Sequence, residues 1–148
     1  MDSIFSKLPE TLGIVSDYEK VLSFDEKEAL QRHAEKINAG TPYEVVLVTI
    51  DSIAPFEDIV TYATALGNKW SVGDEEDNNG LVILVSSNLG QAAIAPGNGI
   101  EKVFTDEVTK KIIEEKMIPH FMRSDFGAGL ERALREVDRI AAGKDPEQ

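Results

Sequence analysis

The stretch YEVVLVTI, residues 43–50, decides the fold. It is β-branched and almost continuously apolar, so it reads as a central strand covered on both faces rather than one with a wet side. Upstream, SFDEKEALQRHAEKINAG (23–40) places Ser23 and Glu26 at capping-box spacing and sets Leu30, Ala34 and Ile37 on one face. Gly40 suits a left-handed helix end. Downstream, Pro55 is a good first-turn residue, and Phe56, Ile59, Val60, Ala63, Leu66 and Trp70 follow helical spacing, which predicts a second helix. LVILV (81–85) is then a second buried strand, and strand, helix and strand together imply a parallel pair joined by a right-handed crossover.

SNLG supplies a short turn, and QAAIAP (91–96) closes an antiparallel hairpin whose proline marks an edge or a strand end. Thr105 caps a helix with Asp106 and Glu107 in its first turn and Lys110 and Lys111 further on, a polarity that complements the backbone dipole. Pro119 is predicted to end it. Ser124 or Asp125 caps a last helix with Phe126, Leu130, Leu134, Val137 and Ile140 inward, closed by Gly143. Residues 1–22 read as an irregular lead-in, and KDPEQ as a fraying tail. The expectation is one α/β domain over residues 1–148, with its core at about 10–142 and a frayed tail over 143–148. Its sheet is mixed, a parallel pair plus an antiparallel hairpin strand, with helices on both faces.

Charge restricts the partners. Asp and Glu number 27 against 15 Lys and Arg, a formal charge of −12, which disfavours nucleic acid and anionic membrane surfaces. Without cysteine there is no disulfide framework and no thiolate nucleophile or ligand, so a metal would be held by oxygens or by the two histidines. His33 reads as a surface or boundary residue of the first helix, and His120 has no second histidine at i+4. No run approaches the ~18 apolar residues of a membrane span, and the first residues lack a signal-peptide pattern, so a cytoplasmic protein is expected.

The chemistry concentrates in VGDEEDNNG (72–80), where Asp74, Glu75, Glu76 and Asp77 crowd against a buried strand. The topology brings the turn PGNGIE (96–101) to the same rim of the sheet and starts the Thr105 helix from that edge, while Asp51 falls at the opposite end. Carboxylates from three segments beside a glycine-rich turn form an environment for a hard divalent cation. Glu75, Asp77, Asn79 and Gly80 half-match a calcium loop, but position one is Glu, position twelve is Ser86 and a strand follows, which excludes an EF-hand. Acidic runs are also commonly solvated loops, and Gly97-Asn98-Gly99 alone is a turn, so both readings stay open. No nucleophile elbow, P-loop or zincin motif is present in the sequence.

YEVVLVTIDS, YATALGNKW followed by Gly73, DNNGLVILVSSNLGQAAIAPGNGIE, FTD and IPHFMRSDFGAGL, taken in order, resemble the TPM domain family, also called TPM phosphatases, in the form of a small free-standing bacterial member. The resemblance implies a sheet flanked by helices, an acidic site for calcium or magnesium, and acid phosphatase activity. Its acidic positions fall on Asp17, Asp77, Glu101, Asp106 and Asp125. Topology already joins Asp77, Glu101 and Asp106; Asp17 and Asp125 rest on the resemblance. The expected metal site is Asp17, Asp77, Asn79, Glu101, Asp106 and Asp125, with Asp77 and Asp106 as direct carboxylate ligands, Asn79 giving an amide oxygen, and Ca2+ or Mg2+ as the ion. The alternatives are a metal-dependent phosphatase acting on phosphomonoesters, and a non-catalytic module that docks a basic protein surface.

Overall fold

A computed structural model describes residues 7–143; the expected fraying of KDPEQ lies outside that range. The elements run β1 (Val15–Asp17), α1 (Phe24–Gly40), β2 (Glu44–Thr49), α2 (Ile59–Lys69), β3 (Gly80–Ser86) and β4 (Gln91–Pro96). A 3-10 turn (Asn98–Ile100) leads to α3 (Asp106–Ile112), a π-helical segment (Ile113–Met117), α4 (Ile118–Phe121) and α5 (Phe126–Ala141). The sheet order is β1-β2-β3-β4; β1, β2 and β3 are parallel and β4 is antiparallel to β3.

Period-two alternation along continuously apolar strands sends side chains to two separate cores. Val45, Leu47, Leu81, Ile83, Val85 and Ile94 face a core closed by α1, the π segment and α5. Val48, Val82, Leu84, Ala93 and Ala95 face a second core closed by α2, whose Tyr62, Ala63 and Leu66 lie on it. One face of the sheet is thus roofed by several helical segments and the other by α2. The small Ala93 and Ala95 let that helix lie close over β4. Among the described residues no helix is long and apolar enough to cross a membrane.

Several sequence expectations change. The lead-in contains β1, which extends the parallel pair to three strands; three residues are too few to show a periodicity, and the pairing of Val15 with Leu47 defines the strand. Helix α2 begins at Ile59 rather than after Pro55, because the Asp58 carboxylate accepts the Thr61 N–H at 2.8 Å and fixes the N-terminus. Gly40 is not left-handed; Thr41 instead donates both its N–H (3.0 Å) and its hydroxyl (2.8 Å) to the Ile37 carbonyl. Pro119 does not end its helix. The widened π turn, in which the Ile118 N–H reaches back to Ile113 O, carries the chain past a proline that a regular helical ladder would reject. Asp125, not Ser124, caps α5, and Ser124 takes φ 59°.

Candidate functional site

Parallel pairing of Glu44 with Gly80 and antiparallel pairing of Leu81 with Pro96 put the start of β3 and the end of β4 at one rim. There the two loops meet main chain to main chain. Gly97 N–H donates to Gly80 O at 2.8 Å and Gly99 N–H to Asn78 O at 3.0 Å. A Cβ on Gly99 would sit 1.8 Å from the Asp77 carbonyl oxygen, and one on Gly97 2.5 Å from that of Asn78. Only glycine allows this approach.

The acidic loop closes on itself before it reaches the turn. Asp74 accepts the Glu76 N–H on its side chain and the Asn78 N–H on its carbonyl, both at 2.7 Å. Asn79 Oδ1 accepts the Asp74 N–H at 2.6 Å, and its Nδ2 donates to Pro42 O. The amide oxygen expected to meet a cation therefore already accepts a hydrogen bond within the loop, while the amide nitrogen ties the loop to Pro42, just before β2.

Glu101 and Asp106 line one groove of about 360 Å³ together with Thr64, Asn98, Phe104 and Thr105. Asp106 is the first residue of α3, held there because Thr105 Oγ1 accepts the Val108 N–H at 3.1 Å. Asp77, Glu101 and Asp106 are all exposed. No described basic side chain pairs with any of them, and none lines the groove. Asp77 contributes its main chain to the rim but does not line that groove. Among the described residues no group of three or more Asp, Glu, His or Cys side chains is close enough to hold one metal ion. Connectivity gathers the segments without bringing three carboxylates into one coordination sphere. The oxygen-bearing side chains lining the groove are Glu101, Asp106, Thr64, Thr105 and Asn98.

Asp17 and Asp125 lie elsewhere. Asp17 pairs in register with Thr49, which pairs with Val85, at the far end of the parallel strands. Seven residues of β3 separate the rims, about 20 Å at ~3.3 Å per residue. The Asp17 carboxylate is buried and accepts three hydrogen bonds, from Val21 N–H and Leu22 N–H at 3.1 Å each and from the Thr49 hydroxyl at 2.7 Å. Asp125 accepts the Ala128 N–H at 3.2 Å; the adjacent Phe126 packs in a pocket with Ser86 and Gln91, which places this cap at the Asp17 rim too.

Two polar constellations escape a reading of the sequence. Glu19 accepts Ser87 N–H (2.9 Å), Ser87 Oγ–H (2.7 Å) and Asn88 N–H (3.1 Å), tying the loop after β1 to the hairpin turn. His33 meets Glu131 at 2.6 Å and Asp138 at 2.5 Å, 98 and 105 residues away. Glu131 and Asp138 are seven apart on α5, a same-face spacing visible in the sequence, but their partner comes from another helix. Burial, then the charges of Tyr18 and Asp51, push the Tyr62 phenol up to about 12. Hydrogen bonds from the Thr61 backbone and hydroxyl hold the exposed Asp58 below the usual carboxylate range.

The fold and its glycine-locked acidic rim define an α/β domain with a mixed sheet. The chain belongs to the TPM domain family, whose model matches residues 15–140. Its fold is similar to the N-terminal domain of a Porphyromonas gingivalis protein solved by NMR (24% identity, 97% of this chain and 93% of that one, TM-score 0.77). It is also similar to the BA42 protein of the psychrophile Bizionia argentinensis (18%, 88% and 88%, 0.72). A third likeness is to the N-terminal domain of a Corynebacterium glutamicum protein (14%, 96% and 89%, 0.69). No curated protein matches the chain.

Proposed function

We propose that the domain binds a divalent cation, Ca2+ or Mg2+, in the groove shared by Glu101 and Asp106. The observation that carries this reading is that two exposed carboxylates line one groove with hydroxyl and amide oxygens and without a basic side chain. The Asp77 carboxylate, on the neighbouring loop, adds to the local negative potential that draws a cation in. A hard ion relieves repulsion among these groups, and binding to the folded state alone raises its stability by mass action.

Calorimetric titration of the protein with CaCl2 and with MgCl2, alongside thermal melts, tests the reading. Heat and a concentration-dependent rise in Tm are expected, both lost in Glu101→Gln/Asp106→Asn and both retained in Asp17→Asn. Absence of heat up to millimolar ion, or heat that survives the double substitution, rules it out. Turnover of an aryl phosphate that needs the ion and disappears in Asp106→Ala would extend the same groove from binding to phosphomonoester hydrolysis.

A further inference from the structure

A second depression adjoins the groove at Glu101 and Asp106. Thr64, Pro96 and Asn98 line both, and the second, of about 240 Å³, runs between α2 and the end of β4. Its floor includes the apolar Val82 and Ala95, and its rim carries Asn68, Asn78 and Asn98. None of these three carboxamides hydrogen-bonds another described residue, whereas Asn38 and Asn79, elsewhere, use both ends of their amides. No lysine, arginine or histidine lines either part.

A carboxamide offers one acceptor and two donors, the complement of a peptide unit. Three of them around a shallow apolar floor suit a ligand with alternating N–H and C=O groups. The carboxylates at one end, on a chain of net charge −12, suit a cationic side chain. We infer that these two adjoining depressions together bind an extended peptide segment, its main chain at Asn68, Asn78 and Asn98 and a lysine or arginine side chain at Glu101 and Asp106. The inference shares the two carboxylates with the cation reading, so a metal ion and the peptide compete there. It does not depend on that reading, because the asparagines are outside the proposed ion site except where Asn98 joins the two halves.

The probe is an acetylated, amidated and fluorescently labelled Ala-Lys-Ala-Lys-Ala-Lys peptide, with binding followed by polarisation and mapped by amide chemical shifts of the full chain. Binding is expected, with shifts along α2 and residues 96–106. Asn68→Ala/Asn98→Ala is expected to weaken it about tenfold, the loss of two modest hydrogen bonds, while the circular dichroism spectrum stays unchanged. A peptide that does not bind at millimolar concentration overturns the inference. So does binding indifferent to the asparagine pair, or spermidine, which carries charge without peptide units, competing as well as unlabelled peptide. Loss of calcium heat in Glu101→Gln/Asp106→Asn with peptide binding intact would uphold the ion site and sink the peptide site.

Discussion

His33 Nδ1 of α1 lies 2.6 Å from Glu131 Oε1 of α5, and its other ring nitrogen lies 2.5 Å from Asp138 Oδ2. One imidazole thus fastens two helices that pack on the same face of the sheet. A neutral imidazole can donate to only one of these carboxylates, an imidazolium to both. The ring is mostly sheltered while Asp138 is half-exposed, so the contact to Glu131 is the better protected from solvent screening. A double-mutant cycle of His33→Ala and Glu131→Ala should give a coupling of about 0.5–1 kcal/mol in chemical denaturation. The coupling to Asp138 should be smaller and fall more steeply with added salt.

Asp17 separates a structural role from a ligand role. Its carboxylate satisfies two backbone N–H groups and one hydroxyl in a buried setting. In Asp17→Asn the amide nitrogen faces donors, so at least one buried donor loses its acceptor. Stability should fall by about 2–4 kcal/mol. Urea denaturation measures it, and an unchanged midpoint would show that the charge at this position serves something other than the fold.

The glycine lock makes opposite predictions for two glycines. Gly99→Ala forces a methyl to within 1.8 Å of Asp77 O, where backbone must move, so a loss of about 1–3 kcal/mol is expected. Gly40→Ala meets nothing within 4 Å at the end of a helix and should be neutral or gain up to about 1 kcal/mol. Thermal melts of the two variants side by side decide it. If Gly99→Ala also opens the junction, the cation heat should weaken with it.

Alkaline pH should unfold the protein through Tyr62. Its pKa is raised to about 12 in the folded state, so the unfolded chain releases this proton first. The stabilising contribution is complete below pH ~10 and is lost as pH rises from there towards 12. Burial also raises Tyr18 and Tyr43, which act in the same direction. Absorbance at phenolate wavelengths should show delayed ionisation, and Tyr62→Phe should flatten the stability decline above pH 10.

The acidic rim shows how far sequence reasoning reaches. Chain order alone brought DNNG beside PGNGIE, since a parallel strand followed by a hairpin leaves its entry and the hairpin's exit at one edge. It could not say that Asn79 spends its amide on Asp74 and Pro42, or that Glu101 and Asp106 face one groove while Asp77 does not line it. Those outcomes depend on side-chain placement within a few ångströms, which no spacing encodes. The three-residue β1 was hidden for a related reason: a strand this short is defined by its neighbour's hydrogen bonds rather than by its own pattern.

By itself the sequence determined the two-sided apolar strands, the helix caps at Ser23 and Thr105 and the mixed connectivity, because hydrophobic period and cap chemistry are local properties that survive to the folded state. Only the tertiary structure decided which carboxylates remain open to solvent and which are consumed by the fold. Asp17 is buried by N–H groups four and five residues on and by Thr49, while Glu19 is tied down by Ser87 and Asn88. Glu101 and Asp106 are left to face a groove. The difference is physical: an acid's identity is written in the chain, but its partners are the donors that packing brings within hydrogen-bonding distance.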